Sequence, residues 1–132
     1  MQRTTLALAL ILVGCGHPEP DLPAISKASR IEVTNNRNER IALIEEPAHV
    51  TRILAFIAER RRGWEVPWYG PPVSTVNLVV FQDSSPVLTF GAGRSFFAAQ
   101  YAGTFASRAA SPEELATFRA LLGSADGKSA GP

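Results

Sequence analysis

Residues 75–108 read TVNLVVFQDSSPVLTFGAGRSFFAAQYAGTFASR, and this stretch decides the fold. From Thr75 to Phe81, Val76, Leu78 and Val80 fall on one face and Val79 and Phe81 on the other. A strand that is apolar on both faces belongs in the middle of a sheet. Asp83-Ser84-Ser85-Pro86 turns the chain. Val87 to Phe90 is the next strand, Gly91-Ala92-Gly93 a break, and Ser95 to Tyr101 another strand. Ala102-Gly103 turns again before a last strand, Thr104 to Arg108. Turns this short join antiparallel neighbours.

Upstream, Ile31 and Val33 alternate with Glu32 and Thr34, and Ile41 and Leu43 with Ala42 and Ile44. Asn35-Asn36-Arg37-Asn38 between them makes a hairpin, because Asn tolerates left-handed backbone. Pro47 suits a first helical turn. Val50, Ile53, Leu54 and Ile57 then follow at helical spacing, and the helix is expected to stop at Arg61-Arg62-Gly63. His49, in its first turn, is expected to face solvent. Downstream, Ser111-Pro112-Glu113-Glu114 is a capping box. Leu115, Phe118, Leu121 and Leu122 line the helix it opens, and Gly123 is expected to end it.

The order strand-strand-helix, four strands, helix implies an α+β two-layer sandwich. Its sheet has five to six mostly antiparallel strands, with two helices covering one face. The domain is expected to span 30–123, with a small, polar, disordered tail at 124–132.

The front of the chain reads differently. One basic residue, Arg3, precedes the apolar run Leu6–Val13, and Gly14-Cys15 follows. This is the pattern of a secretory signal peptide over residues 1–14, too short to span a bilayer. Leu12-Val13-Gly14-Cys15 resembles the lipobox of bacterial lipoproteins. That resemblance implies diacylglyceryl transfer to the Cys15 sulfur, cleavage before it, and fatty acylation, as with palmitate, of the new amino group. One fatty chain holds a protein only marginally, and two or three hold it durably. In enterobacterial lipoproteins an Asp after the cysteine favours inner-membrane retention. Gly16 stands there, so the resemblance implies an outer-membrane anchor facing the periplasm. Gly16 to Ser29, with Pro18, Pro20 and Pro23, is expected to be an extended tether.

Composition removes several function classes. The formal net charge is +1, without the basic field that nucleic-acid binding needs. Cys15 is the sole cysteine, so there is no disulfide and no thiolate metal site. No catalytic residue, metal site or cofactor is expected. The serines lack a nucleophile-elbow context, and Glu45-Glu46 and Glu113-Glu114 sit at helix starts, where negative charge suits the dipole. Gly91-Ala92-Gly93-Arg94 lacks a phosphate-cradling pattern and reads as a bend.

What remains is Trp64 to Pro72, WEVPWYGPP. Its prolines and glycine exclude regular structure, and its aromatics demand burial or a partner. Trp64 and Trp68 are expected to lid the core, and Tyr69 to show its ring. Exposed, Trp64, Trp68 and Tyr69, with Arg94 nearby, would form a partner-binding surface. This string, with Phe90-Gly91-Ala92-Gly93, Phe96-Phe97 and Gln100, resembles small uncharacterised bacterial lipoproteins. The expectation is a non-catalytic binding or structural module of the bacterial cell envelope, held to the membrane by lipid and contacting an envelope protein or cell-wall component. The alternatives are a small envelope hydrolase or transferase, whose pocket would gather Glu65, Arg94, Gln100 and Tyr101, and an inhibitor that plugs a hydrolase with the Trp64–Pro72 loop.

Overall fold

The computed structural model describes residues 20–126, with side chains to 123. Cys15 and the signal segment lie outside the described residues, as does most of the tail. The elements are β1 (Arg30–Asn35), β2 (Arg40–Ile44), α1 (Pro47–Ala58), β3 (Val76–Gln82), β4 (Ser85–Ala92), β5 (Phe96–Tyr101), β6 (Thr104–Ala109) and α2 (Pro112–Asp126).

The strands form one open sheet in the order β2-β1-β3-β4-β5-β6, with every neighbour antiparallel. The doubly apolar β3 lies inside it, between β1 and β4. Local chemistry sets the turns. Tyr101 pairs with Thr104 across Ala102 and Gly103, both at positive φ, as a two-residue hairpin of this twist requires. Pro86 cannot donate to the ladder, and it sits beside a bulge in the β3–β4 register, where a missing donor is tolerated. The free edge of β2 is short and bulged at the Val33/Thr34 step, which discourages pairing with another chain.

Both helices cover one face. Phe56 of α1 and Phe118 of α2 meet Phe90 of β4 and Phe97 of β5, with ring centroids 5.2–6.3 Å apart. Burying one such side chain contributes about 1.5–3 kcal/mol, so this quartet anchors the core. Ile31, Val33, Leu78, Val80 and Leu88 extend it. The two-layer α+β sandwich is therefore the fold.

Five local expectations change. β4 runs on through Gly91 and Ala92, which pair with Ala98 and Phe97 instead of breaking the strand. α1 ends at Ala58, not at Gly63, and Arg60 turns back so that its Nη1 donates to the Phe56 carbonyl. α2 continues through Gly123 to Asp126. His49 is buried, with Nε2 2.7 Å from the Leu121 carbonyl of α2. A carbonyl only accepts, so Nε2 carries the proton. Finally, the packed body starts before Arg30. Leu22 is 0% exposed, and its N–H and carbonyl bond the Arg61 carbonyl and Nε at 3.0 and 2.9 Å. Tyr101 Oη donates to the Asp21 carbonyl, Gln82 to that of Lys27, and the Ser29 N–H to that of Phe81. The second half of the expected tether is thus a strap packed along α1.

Candidate functional site

Only the helix-covered face of the sheet is roofed by helices. On the other face, β1 and β2 carry Glu32 between Arg30 and Arg40, with ion pairs of 3.6 and 3.4 Å. Beyond β3, that face receives the segment between α1 and β3.

The segment leaves α1 through Gly63, whose φ of +82° favours glycine. Trp64 turns inward, its ring centroid 5.8 Å from that of Phe90 and its indole N–H donating to the Arg60 carbonyl. Glu65 then pairs with Ser107 through both backbone groups, at 2.9 and 2.8 Å, on the outer edge of β6. This bridge carries the chain from one face of the sheet to the other. Pro67 is buried, and Gly70, at φ +99°, reverses the direction with its N–H on the Pro67 carbonyl. Pro71, Pro72 and Ser74 cross the outer face near Asn77, Thr89 and Gln100. Thr75 closes the loop with its N–H on the Ala92 carbonyl.

The tip stands clear of this support. Trp68 is 94% exposed and Tyr69 66%, and their rings meet edge to face at 5.7 Å. Val66 and Val73 are exposed on the same loop. Beside Tyr69 lies an open cleft of about 550 Å³, lined by Glu65, Ser95, Phe96, Ser107 and Arg108 among others. Arg94 is exposed next to Ser95, at the same end of β5. Tyr69 thus shares a cleft with Ser95, the neighbour of Arg94, and Trp68 stands against Tyr69.

No protein-family model, curated protein or solved structure matches the chain. Its site therefore rests on its own geometry. Trp64 does not belong to the exposed surface, because its indole fills the space between the end of α1 and Phe90. Trp68 does not lid the core, because the Glu65 bridge has already taken the chain outside it. Val66 and Val73 escaped the sequence reading. Each follows or precedes a turn residue in a non-periodic segment, so no pattern marked them.

The four residues that a catalytic pocket would gather are dispersed. Gln100 lies on the outer face opposite Thr89, while Tyr101 packs against the core side and holds Asp21. Arg94 is at the other end of β5, and Glu65 is bound into the β6 edge. Among the described residues no three His, Cys, Asp or Glu side chains are placed to hold a metal ion. No helix there is long and apolar enough to cross a membrane.

Proposed function

We propose that this chain is a lipid-anchored protein of the bacterial cell envelope. It acts without catalysis and binds an envelope protein or cell-wall component through the Trp68–Tyr69 tip. The observation that carries this reading is the 94% exposure of Trp68 on a loop clamped at Glu65 and Thr75. Exposed apolar side chains grouped on a stiff support mark interaction sites, and rigid Trp and Tyr rings bind at low entropic cost. The lipobox-like Leu12–Cys15 supports the anchor. The residues a pocket would need are spread over two faces and two ends of the sheet, which favours binding over catalysis.

A photocrosslinking residue in place of Tyr69, introduced in the native cell, tests the reading. A discrete crosslinked species that disappears with Trp68→Ala supports it. Repeated failure to capture anything at that position counts against the tip as the contact. A captured hydrolase that loses activity on binding would make the module an inhibitor.

A further inference from the structure

We infer that the cleft beside Tyr69 binds a neutral saccharide. The inference rests on the reading that the Trp64–Pro72 loop is a binding surface, and it names the ligand class.

The cleft forms where the loop meets the sheet. Phe96 and Ser107 lie on the outer face, since their neighbours Phe97 and Ala106 point into the core. Gly63, Glu65 and Tyr69 come from the loop, and Ser95, Arg108 and Ala109 complete a concavity of about 550 Å³. That is the size of a small-ligand site. Tyr69 keeps 66% of its surface exposed, with Trp68 set against it edge to face.

The fold leaves the hydrogen-bonding capacity of this cleft largely unused. Among the described residues, no hydrogen bond or ion pair engages the side-chain oxygens of Glu65, Tyr69, Ser95 or Ser107. Arg108 is held at the wall by one bond, from Nη1 to the Arg62 carbonyl at 3.0 Å, and a guanidinium has further N–H donors to offer. The cleft therefore presents an acceptor-only carboxylate, a donor-only guanidinium and hydroxyls that do either. A polyol matches that set, because each sugar hydroxyl both donates and accepts. The apolar C–H face of the sugar ring then lies on the Tyr69 ring, which has an apolar body and a polar tip.

Other ligand classes fit less well. A peptide strand adding to β6 here would need the outward backbone groups of Ser107, and Glu65 already holds both. An anion placed on Arg108 would share the cleft with the Glu65 carboxylate, a like charge that opposes it. A wholly apolar ligand would strip water from the polar side chains and give them no partner in return.

The full chain in zwitterionic detergent micelles, free of sugar headgroups, provides the test. The probes are neutral tetramers of N-acetylglucosamine and of glucose, and an acidic tetramer of galacturonic acid, followed by calorimetry and amide chemical shifts. The expected result is saturable binding of a neutral tetramer that shifts the amides of Glu65, Ser95 and Ser107 and leaves those of α1 in place. Tyr69→Ala should weaken it about tenfold. Glu65→Gln, which leaves the backbone bridge intact, should weaken it as well, because an ionised acceptor holds a hydroxyl more strongly than an amide does. Binding of the acidic tetramer alone, strengthened by Glu65→Gln, assigns the cleft to an anion and overturns the inference. If no tetramer binds while the crosslinker at Tyr69 still captures a protein, the saccharide is overturned and the tip stands as a protein contact. Failure of both overturns the loop as a binding surface.

Discussion

Arg60 Nε donates to Glu114 Oε2 at 2.7 Å, joining the end of α1 to the start of α2 across 54 residues of sequence. The same guanidinium lies 3.6 Å from the Phe56 ring centroid, and the Arg60 carbonyl accepts the Trp64 indole N–H. Glu114 meanwhile accepts from the Ser111 N–H and donates its own N–H to Ser111 Oγ, completing the capping box. One ion pair therefore ties both helices to the residue where the Trp64–Pro72 loop begins.

This pair makes stability depend on pH. Burial pushes the Glu114 carboxyl up, but the Arg60 hydrogen bond, the Ser111 N–H and the charges of Arg60 and Arg108 outweigh it, and hold the group below its ordinary range. A depressed carboxyl contributes stability above its unfolded value and loses it as pH falls through the folded one. Glu114→Gln should therefore lower stability by about 1–2 kcal/mol at neutral pH, as for a hydrogen bond to a charged group. Urea midpoints of the two proteins should converge as pH falls through the folded Glu114 value, below the ordinary carboxylate range, where both side chains are neutral. A gap that persists at low pH would assign the loss to packing.

The two tryptophans should behave oppositely. Trp64→Ala empties the space beside Phe90 and should cost about 3–5 kcal/mol. Trp68→Ala removes a side chain that touches chiefly Tyr69 and should change stability by less than about 0.5 kcal/mol. Chemical denaturation of both variants checks this. A large loss in the Trp68 variant would mean that its ring packs on the body in solution.

Gly91 has a packing role that its neighbours reveal. A Cβ there would lie 2.3 Å from Asn77 Oδ1 and 2.4 Å from Ser74 Oγ. Gly91→Ala should cost about 1–3 kcal/mol by overpacking and push Ser74 off the sheet. Partner capture through Tyr69 should weaken with it, although Trp68 is untouched. In a Ser74→Gly, Asn77→Ala background the penalty should shrink, as expected for side chains in contact. An unchanged penalty there would place the strain elsewhere.

The sheet was legible because its signals are local. Alternation along 75–108, the Ala102-Gly103 turn and the Ser111–Glu114 box are all complete within a few residues. What escaped the sequence depends on groups far along the chain. Trp68 is exposed because Glu65 pairs with Ser107, and His49 is buried because Leu121 of α2 reaches it. Prolines at 20 and 23 correctly excluded a helix, but they say nothing about packing. Leu22 and Ile25 bury or half-bury in a segment without regular structure beside α1. Gly123 was a plausible stop, yet it offers only permission for a left-handed cap, and the helix runs past it.

Tyr101 should control whether the strap stays down. Its hydroxyl donates to the Asp21 carbonyl, and burial, with the nearby Asp21 charge, raises its pKa above the ordinary value near 10. A raised acid of this kind contributes stability that is fully present below the unfolded pKa and is lost as pH rises through the folded one, because the phenolate has no proton to donate. Tyr101→Phe removes the donor at every pH and should cost about 0.5–1.5 kcal/mol. The loss should be local, so hydrogen exchange should quicken at Leu22 and its neighbours while the amides of β3 and β4 keep their protection. In the wild type the protection factor at Leu22, relative to intrinsic exchange, should fall only as pH rises through the raised Tyr101 value, and in the Phe variant that fall should be absent. Uniform acceleration across the sheet would mean that Asp21 and Leu22 open only when the whole domain unfolds, and that Tyr101 does not latch the strap separately.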